Sequence, residues 1–171
     1  MTDGSLPGDD GASVAARDEL AGVVDLFGAL TRAELSRALS ELAFKRRTEV
    51  DDAAIDAAID AGLSAYYLVA APADAVDGVD DEALAVGPAA FPSLPPNAED
   101  LPHILDVPDR DVDRDRLAAT VLDRLSEDVT DAIDDGDEDR LEALIDVTYD
   151  VEAWATTDAA GIRERIVDAT E

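Results

Sequence analysis

Acidic side chains outnumber basic ones 42 to 13, which puts a formal charge of −29 on a chain of 171 residues. Charge of that size repels itself in dilute buffer and opposes any compact state. In about 1 M salt the Debye length shrinks to roughly 3 Å, and most of the repulsion disappears. A carboxylate-rich surface then keeps a protein hydrated where salt drives apolar surfaces together. The acids are 30 Asp and 12 Glu, and the bases are 12 Arg with a single lysine, Lys45. This balance points to halophilic adaptation at multimolar salt. Arg in place of Lys, together with abundant Ala, also fits a GC-rich genome. A disordered acidic segment shares the composition, but the apolar residues here recur in ordered stripes.

Other classes fall away quickly. The chain has no cysteine, so disulfides and thiolate metal sites are excluded. No apolar run approaches the roughly 20 residues needed to cross a bilayer. Residues 1–15 open MTDGSLPGDDGAS, without the positive region and apolar stretch of a secretory signal, and read as a disordered lead. These features predict a cytoplasmic protein with no membrane partner.

Apolar spacing predicts three helices in the first third of the chain. Leu20, Val23, Val24, Phe27 and Leu30 form one stripe over residues 16–30. Thr31 and Glu34 form a T-x-x-E capping box that opens a helix over 31–47, with Leu35, Ala38, Leu39 and Leu42 on one face. Lys45, Arg46 and Arg47 close it, where cations complement the helix macrodipole. Ile55, Ile59 and Leu63 then mark a helix over 51–63, with Asp52, Asp56 and Asp60 on its opposite face.

Beyond residue 65 the period changes. YYLVAA (66–71), closed by Pro72, and residues 84–87, stopped by Pro88, predict two strands of a hairpin with a long acidic tip. Three helices followed by a hairpin resemble a winged-helix domain, here over residues 16–90. The phrase LFGALTRAELSRAL looks like the entry into the second helix of that fold. Over DELAGVVDLFGALTRAELSRALSELAFKR, VGPAAFPSLP, EDLPHILDV and YDVEAW the chain also resembles a group of small acidic haloarchaeal proteins of unknown function. That resemblance implies the environment and no activity.

Six of the eight prolines crowd residues 88–108, which rules against helix or central strand there. Phe91, Leu94, Leu101, Ile104 and Leu105 are too apolar for a free linker, so 91–110 reads as an extended strap on the first domain. Residues 111–171 form a C-terminal helical region. A stripe from Leu117 to Ile133 predicts a long helix ended by Gly136, and Leu141, Leu144 and Ile145 a shorter one. Alternating Val147, Tyr149 and Val151 suggest strand or extended loop before Trp154, and Thr157 or Asp158 caps a last helix. The fold class is therefore mainly α with a small β-hairpin.

Charge is unevenly placed. Residues 15–50 carry six basic and six acidic groups, whereas 51–171 carry seven basic and 33 acidic. The neutral stretch marks Arg17, Arg32, Arg37, Lys45, Arg46 and Arg47 as candidate contacts for a partner. Burial of these helices inside the fold explains the same neutrality, and cations at a helix end are ordinary.

Candidate chemistry is sparse. A winged helix usually reads DNA through its third helix, with cations or amides facing phosphates and base edges. Here 51–66 holds no Lys, Arg, Asn or Gln, and the wing offers Asp74, Asp77, Asp80, Asp81 and Glu82. Multimolar salt also erases most counterion-release affinity. Asp131, Asp135, Gly136, Asp137 and Glu142 match part of an EF-hand loop, but Ile133 stands where an oxygen ligand belongs. The Asp109 to Asp115 series lacks the Gly and Glu. Both read as solvated acidic surface. His103, the only histidine, builds no zinc site alone and reads as packing or capping in the strap. Trp154, Tyr149, Tyr66 and Tyr67 read as core or interface anchors. No cofactor motif is present. The reading is a non-enzymatic protein-interaction module, with a transcription-associated DNA-binding protein second and an enzyme with an unrecognised carboxylate site third.

Overall fold

The computed structural model describes residues 9–47, 50–79 and 82–171, with side chains from Ala16 onward. They fall into two compact units, Met1–Asp111 and Val112–Glu171.

The first unit runs α1 (Asp9–Phe27), β1 (Ala29–Leu30), α2 (Arg32–Lys45), α3 (Asp52–Ser64), β2 (Leu68–Ala71), β3 (Ala83–Val86) and α4 (Leu101–Leu105). The expected hairpin forms, with Leu68 opposite Val86 and Ala71 opposite Ala83. The sheet has a third strand that periodicity does not predict. β1 pairs antiparallel with β3, Ala29 opposite Ala85, giving the order β1-β3-β2. Against it α1 buries Leu20, Val23, Val24 and Phe27, α2 buries Leu35, Ala38 and Leu42, and α3 buries Ile55 and Ile59. These are the residues of the predicted stripes, and their burial is what holds such short helices in water.

The capping box forms as the sequence implies. The Thr31 hydroxyl accepts from the Glu34 N–H at 3.2 Å, and the Glu34 carboxylate accepts from the Thr31 N–H at 2.9 Å. Asp51 caps α3 by accepting from the Ala54 N–H at 2.8 Å. At the N-terminus the backbone departs from expectation. α1 starts at Asp9, so residues 9–15 of the expected lead are helical, and residues 1–8 lie outside the described residues.

Residues 88–108 correct a second expectation, because α4 forms inside them. Pro102 occupies one of its first two positions, where a helix has no use for the missing N–H. Asp106, in the left-handed conformation, ends it. Ala98, Leu101, Leu105 and Val107 join the core of the unit. Phe91 stays 80% exposed, and Leu94 and Ile104 are also exposed. The strap is pinned along its length: the Phe91 N–H donates to the Asp18 carboxylate and the Ser93 N–H to the Asp18 carbonyl, both at 3.0 Å. The Arg110 N–H donates to the Phe27 carbonyl at 2.8 Å.

Two glycines of α1 and its exit set this docking. A Cβ on Gly22 would lie 2.2 Å from the Ser93 carbonyl oxygen. Gly28 has φ +85 and the Arg110 carbonyl oxygen 1.9 Å from where its Cβ would be. We expect Gly22→Ala to push the strap off α1 at a cost of about 1–3 kcal/mol. Hydrogen exchange would show lost protection at the Phe91 and Ser93 amides, which donate to Asp18, and unchanged protection would refute the tight approach.

The second unit consists of α5 (Arg114–Asp135), α6 (Glu138–Trp154) and α7 (Ala160–Thr170). Gly136 ends α5, as expected, and does so in the left-handed conformation, while Asp113 caps its start. The strand or loop expected at 147–151 is instead continuous α6. Its buried residues Leu141, Leu144, Val147, Thr148 and Val151 keep helical spacing, and packing against α5 and α7 selects that period over the alternating one. At α7, Asp158 accepts from the Ala160 N–H at 2.8 Å, although Ala159 is the capping position. Arg163 fastens α7 to α6, donating to the Thr148 hydroxyl at 3.0 Å, pairing with Glu152 and lying 3.8 Å over the Tyr149 ring.

Candidate functional site

Between α1, α2 and α3 the first unit leaves a groove of about 410 Å³. That is within the roughly 300–1,000 Å³ of ordinary binding pockets. α1 contributes Ala16, Leu20 and Val23, and α2 contributes Leu39, Leu42 and Ala43. α3 supplies Ala54, Ile55, Ala58 and Ala61, and Pro95 of the strap and Val50 complete the apolar lining. The groove exists because small side chains stand where three helices converge: five of these residues are alanine, too short to fill the space. Its polar lining is Arg17, Glu19 and Arg46. Arg46 is exposed and Arg17 half-buried, so both stand where the groove meets solvent.

The six candidate contact residues take different places. Arg17 and Arg46 meet at the groove, Arg17 with its guanidinium 5.7 Å from the centre of the Tyr67 ring. Arg37 and Arg47 are exposed. Arg32 turns to α3, donating to the Asp60 carboxylate at 2.9 Å and the Asp56 carbonyl at 3.2 Å. Lys45 turns to the strap, donating to the Asn97 carbonyl at 3.2 Å with Asp100 4.0 Å away. The structure therefore brings two of the six to the groove and uses two others to tie α2 to its neighbours.

The outward face of α3 shows exposed Asp52, Asp56 and Asp60. In the loop between β2 and β3, Asp74, Asp77 and Glu82 are exposed, while Asp80 and Asp81 lie outside the described residues. Asp131 and Asp135 sit on α5, Gly136 ends that helix and Asp137 caps α6, so this stretch is helix, turn and helix. His103 is exposed in the last turn of α4, against the expectation that it packs or caps. Tyr66 is buried and Tyr67 half-buried, as anchors should be, but Tyr149 is exposed on α6. Trp154 is half-buried with the Arg114 guanidinium 4.7 Å from its ring centre. Neither His103 nor Trp154 lines the groove.

One pair escapes sequence reasoning. Arg110 donates to both oxygens of Glu34, at 2.6 and 3.0 Å, and to the Ala29 carbonyl at 3.2 Å. The two side chains are 8% and 19% exposed. Arg110, and behind it the Thr31 hydrogen bonds, hold the Glu34 carboxyl below its usual range against the opposing effect of burial. Glu34 in turn raises the Arg110 guanidinium. The pair joins the start of α2 and the edge of β1 to the end of the strap. Glu34 was legible as a cap, but its partner lies 76 residues away inside an acidic DRD run.

This arrangement can bind an apolar body and meet a negative charge at the groove's mouth. No curated protein and no solved structure matches the chain. A model of a family of unknown function, DUF7109, matches residues 18–171, and the chain belongs to that family.

Proposed function

We propose that this chain is a non-enzymatic protein-interaction module of the cytoplasm of a halophilic cell, with the groove of the first unit as its contact surface. The observation that carries the reading is an open apolar groove on a chain of charge −29. Multimolar salt strengthens apolar association, so a surface built to stay hydrated keeps such a groove at a standing cost unless something covers it. The order helix, strand, two helices and hairpin, with β1 beside β3, supports a winged-helix-like first unit. DNA binding in the usual mode of that fold draws no support from α3, whose exposed face is acidic. Arg32, which reaches that face from α2, is engaged with Asp56 and Asp60.

The test is affinity capture of the tagged protein at native salt, with proteins and nucleic acids both identified. Ala58 is exposed and lines the groove, so Ala58→Phe should fill it without touching the core. The expected result is a stoichiometric protein partner lost in that variant while circular dichroism is unchanged. A partner indifferent to Ala58→Phe, or recovery of DNA of defined sequence, would overturn the reading.

A further inference from the structure

We infer that the groove takes an amphipathic helix of about two turns whose apolar residues are flanked by carboxylates. This rests on the interaction-module reading and names the chemistry of the partner.

Length and shape come first. On α1 the lining residues Ala16, Leu20 and Val23 stand at i, i+4 and i+7, and on α3 Ala54, Ala58 and Ala61 repeat that spacing. Seven residues of helix span about 10 Å at roughly 1.5 Å per residue. A partner helix presenting residues i, i+4 and i+7 covers the same distance, which is the helix-in-groove mode of recognition. An extended partner would need unpaired backbone donors and acceptors along a sheet edge. The walls here are helices, whose backbone groups are satisfied internally. The alanines of α3 keep its wall low, so an incoming backbone can approach closely.

Volume agrees with a short row of anchors. A dry cavity of about 150 Å³ accepts one benzene-sized group. The 410 Å³ of the groove therefore holds two to three large apolar side chains, the number that two helical turns project from one face.

Charge sets the flanks. Two of the three ionised groups lining the groove are Arg17 and Arg46, whereas residues 51–171 sum to −26. At multimolar salt only charges in direct contact still count, and the cations that line the groove are Arg17 and Arg46. Guanidinium groups suit the task, because each carries five N–H donors, and one already engaged within the fold, as Arg17 is over Tyr67, still has donors for an incoming carboxylate. Contact pairs of that kind keep part of their strength when salt screens longer-range attraction. A partner soluble in the same salt also carries carboxylates beside its apolar residues, for the reason this chain does.

Fluorescence anisotropy with labelled synthetic peptides tests the inference in multimolar KCl on the full chain. Each peptide has about twelve residues, near the minimum for helix in water, with Leu at i, i+4 and i+7. One carries Glu beside the Leu row and the other Lys. The Glu peptide is expected to bind about tenfold more tightly than the Lys peptide. Arg17→Glu with Arg46→Glu should reverse that order, and Ala58→Phe should abolish both. Circular dichroism of each variant guards against loss of fold, and a groove filled at Ala58 provides the second route if the charge reversal unfolds α1. Equal affinity for the two peptides, or binding of decanoate with neither peptide bound, would overturn the inference. If affinity capture yields a partner sensitive to Ala58→Phe while the peptides show no charge preference, the groove remains the contact and the acidic helix is wrong. If neither capture nor peptide responds to Ala58→Phe, both readings fall.

Discussion

Arg110→Ala should cost the first unit about 3 kcal/mol of stability, the low end for removing one partner of a buried ion pair. The low end is appropriate because Glu34 keeps 19% of its side chain in solvent. The loss has two sources. Glu34 would retain its Thr31 hydrogen bond but lose the guanidinium that meets both its oxygens. The Ala29 carbonyl would also lose a donor, at the start of the strand that edges the sheet. Arg110→Lys should recover only part of the loss, since an ammonium cannot span both carboxylate oxygens. Replacing both partners by Met should cost less than Arg110→Ala alone, because no charge is then left buried. Urea titration of the full chain in multimolar KCl measures each change. The pH dependence has a definite sign. Glu34 is depressed in the folded state, so its contribution is complete above the ordinary Glu value of about 4.3 and fades as pH falls through the lower folded value. The gap between wild type and Arg110→Ala should therefore narrow below about pH 4.3. A constant gap would mean that Arg110 acts through packing alone.

That pair also shows where sequence reading stops. Local signals identified their elements because each is complete within a few residues: the Thr31–Glu34 box and Gly136 at the end of α5. β1 is two residues long, too short to show a period, and exists only because β3 lies beside it. Residues 147–151 fit both alternation and helix, and only their neighbours in the folded unit decide between them. The proline count misled at α4, because proline opposes a helix interior and not its first turn. The candidate site was half legible. Arg17 and Arg46 stood out against the acidic remainder, but alanines scattered over α1, α2 and α3 carry no sign of a groove until the helices converge. Arg32 and Lys45 looked equivalent to them, and only the fold turns those two inward onto Asp60 and Asn97.

On dialysis from multimolar KCl into dilute buffer, the chain should lose most of its helical circular dichroism, and residues 112–171 should lead. That stretch carries 19 acidic and 6 basic residues, a net −13 on 60 residues; the remaining 111 residues carry −16. The three-helix unit is thus the more densely charged of the two, and it has the smaller core to oppose repulsion. Near 0.01 M salt the Debye length grows to about 30 Å, long enough for carboxylates across a whole unit to repel one another. Asp146 and Asp150 show the effect locally. One helical turn apart on α6, they raise the Asp150 carboxyl above its usual range, burial being the larger cause and the Asp146 charge the second. A raised carboxyl means that its ionised form destabilises the fold, so stability falls as pH rises through that value and returns on acidification. Two rescues follow. Mild acid, toward the pI of about 4.1, should restore helix in dilute buffer by discharging carboxylates. Asp150→Asn should move the unfolding midpoint to lower KCl, as neither charge nor its burial then opposes α6. Hydrogen exchange along the KCl titration would locate the first loss, in α5 to α7 if charge density governs. Full helical signal in dilute buffer would show that the acidic surface is tolerated without screening, and the halophilic reading would go with it.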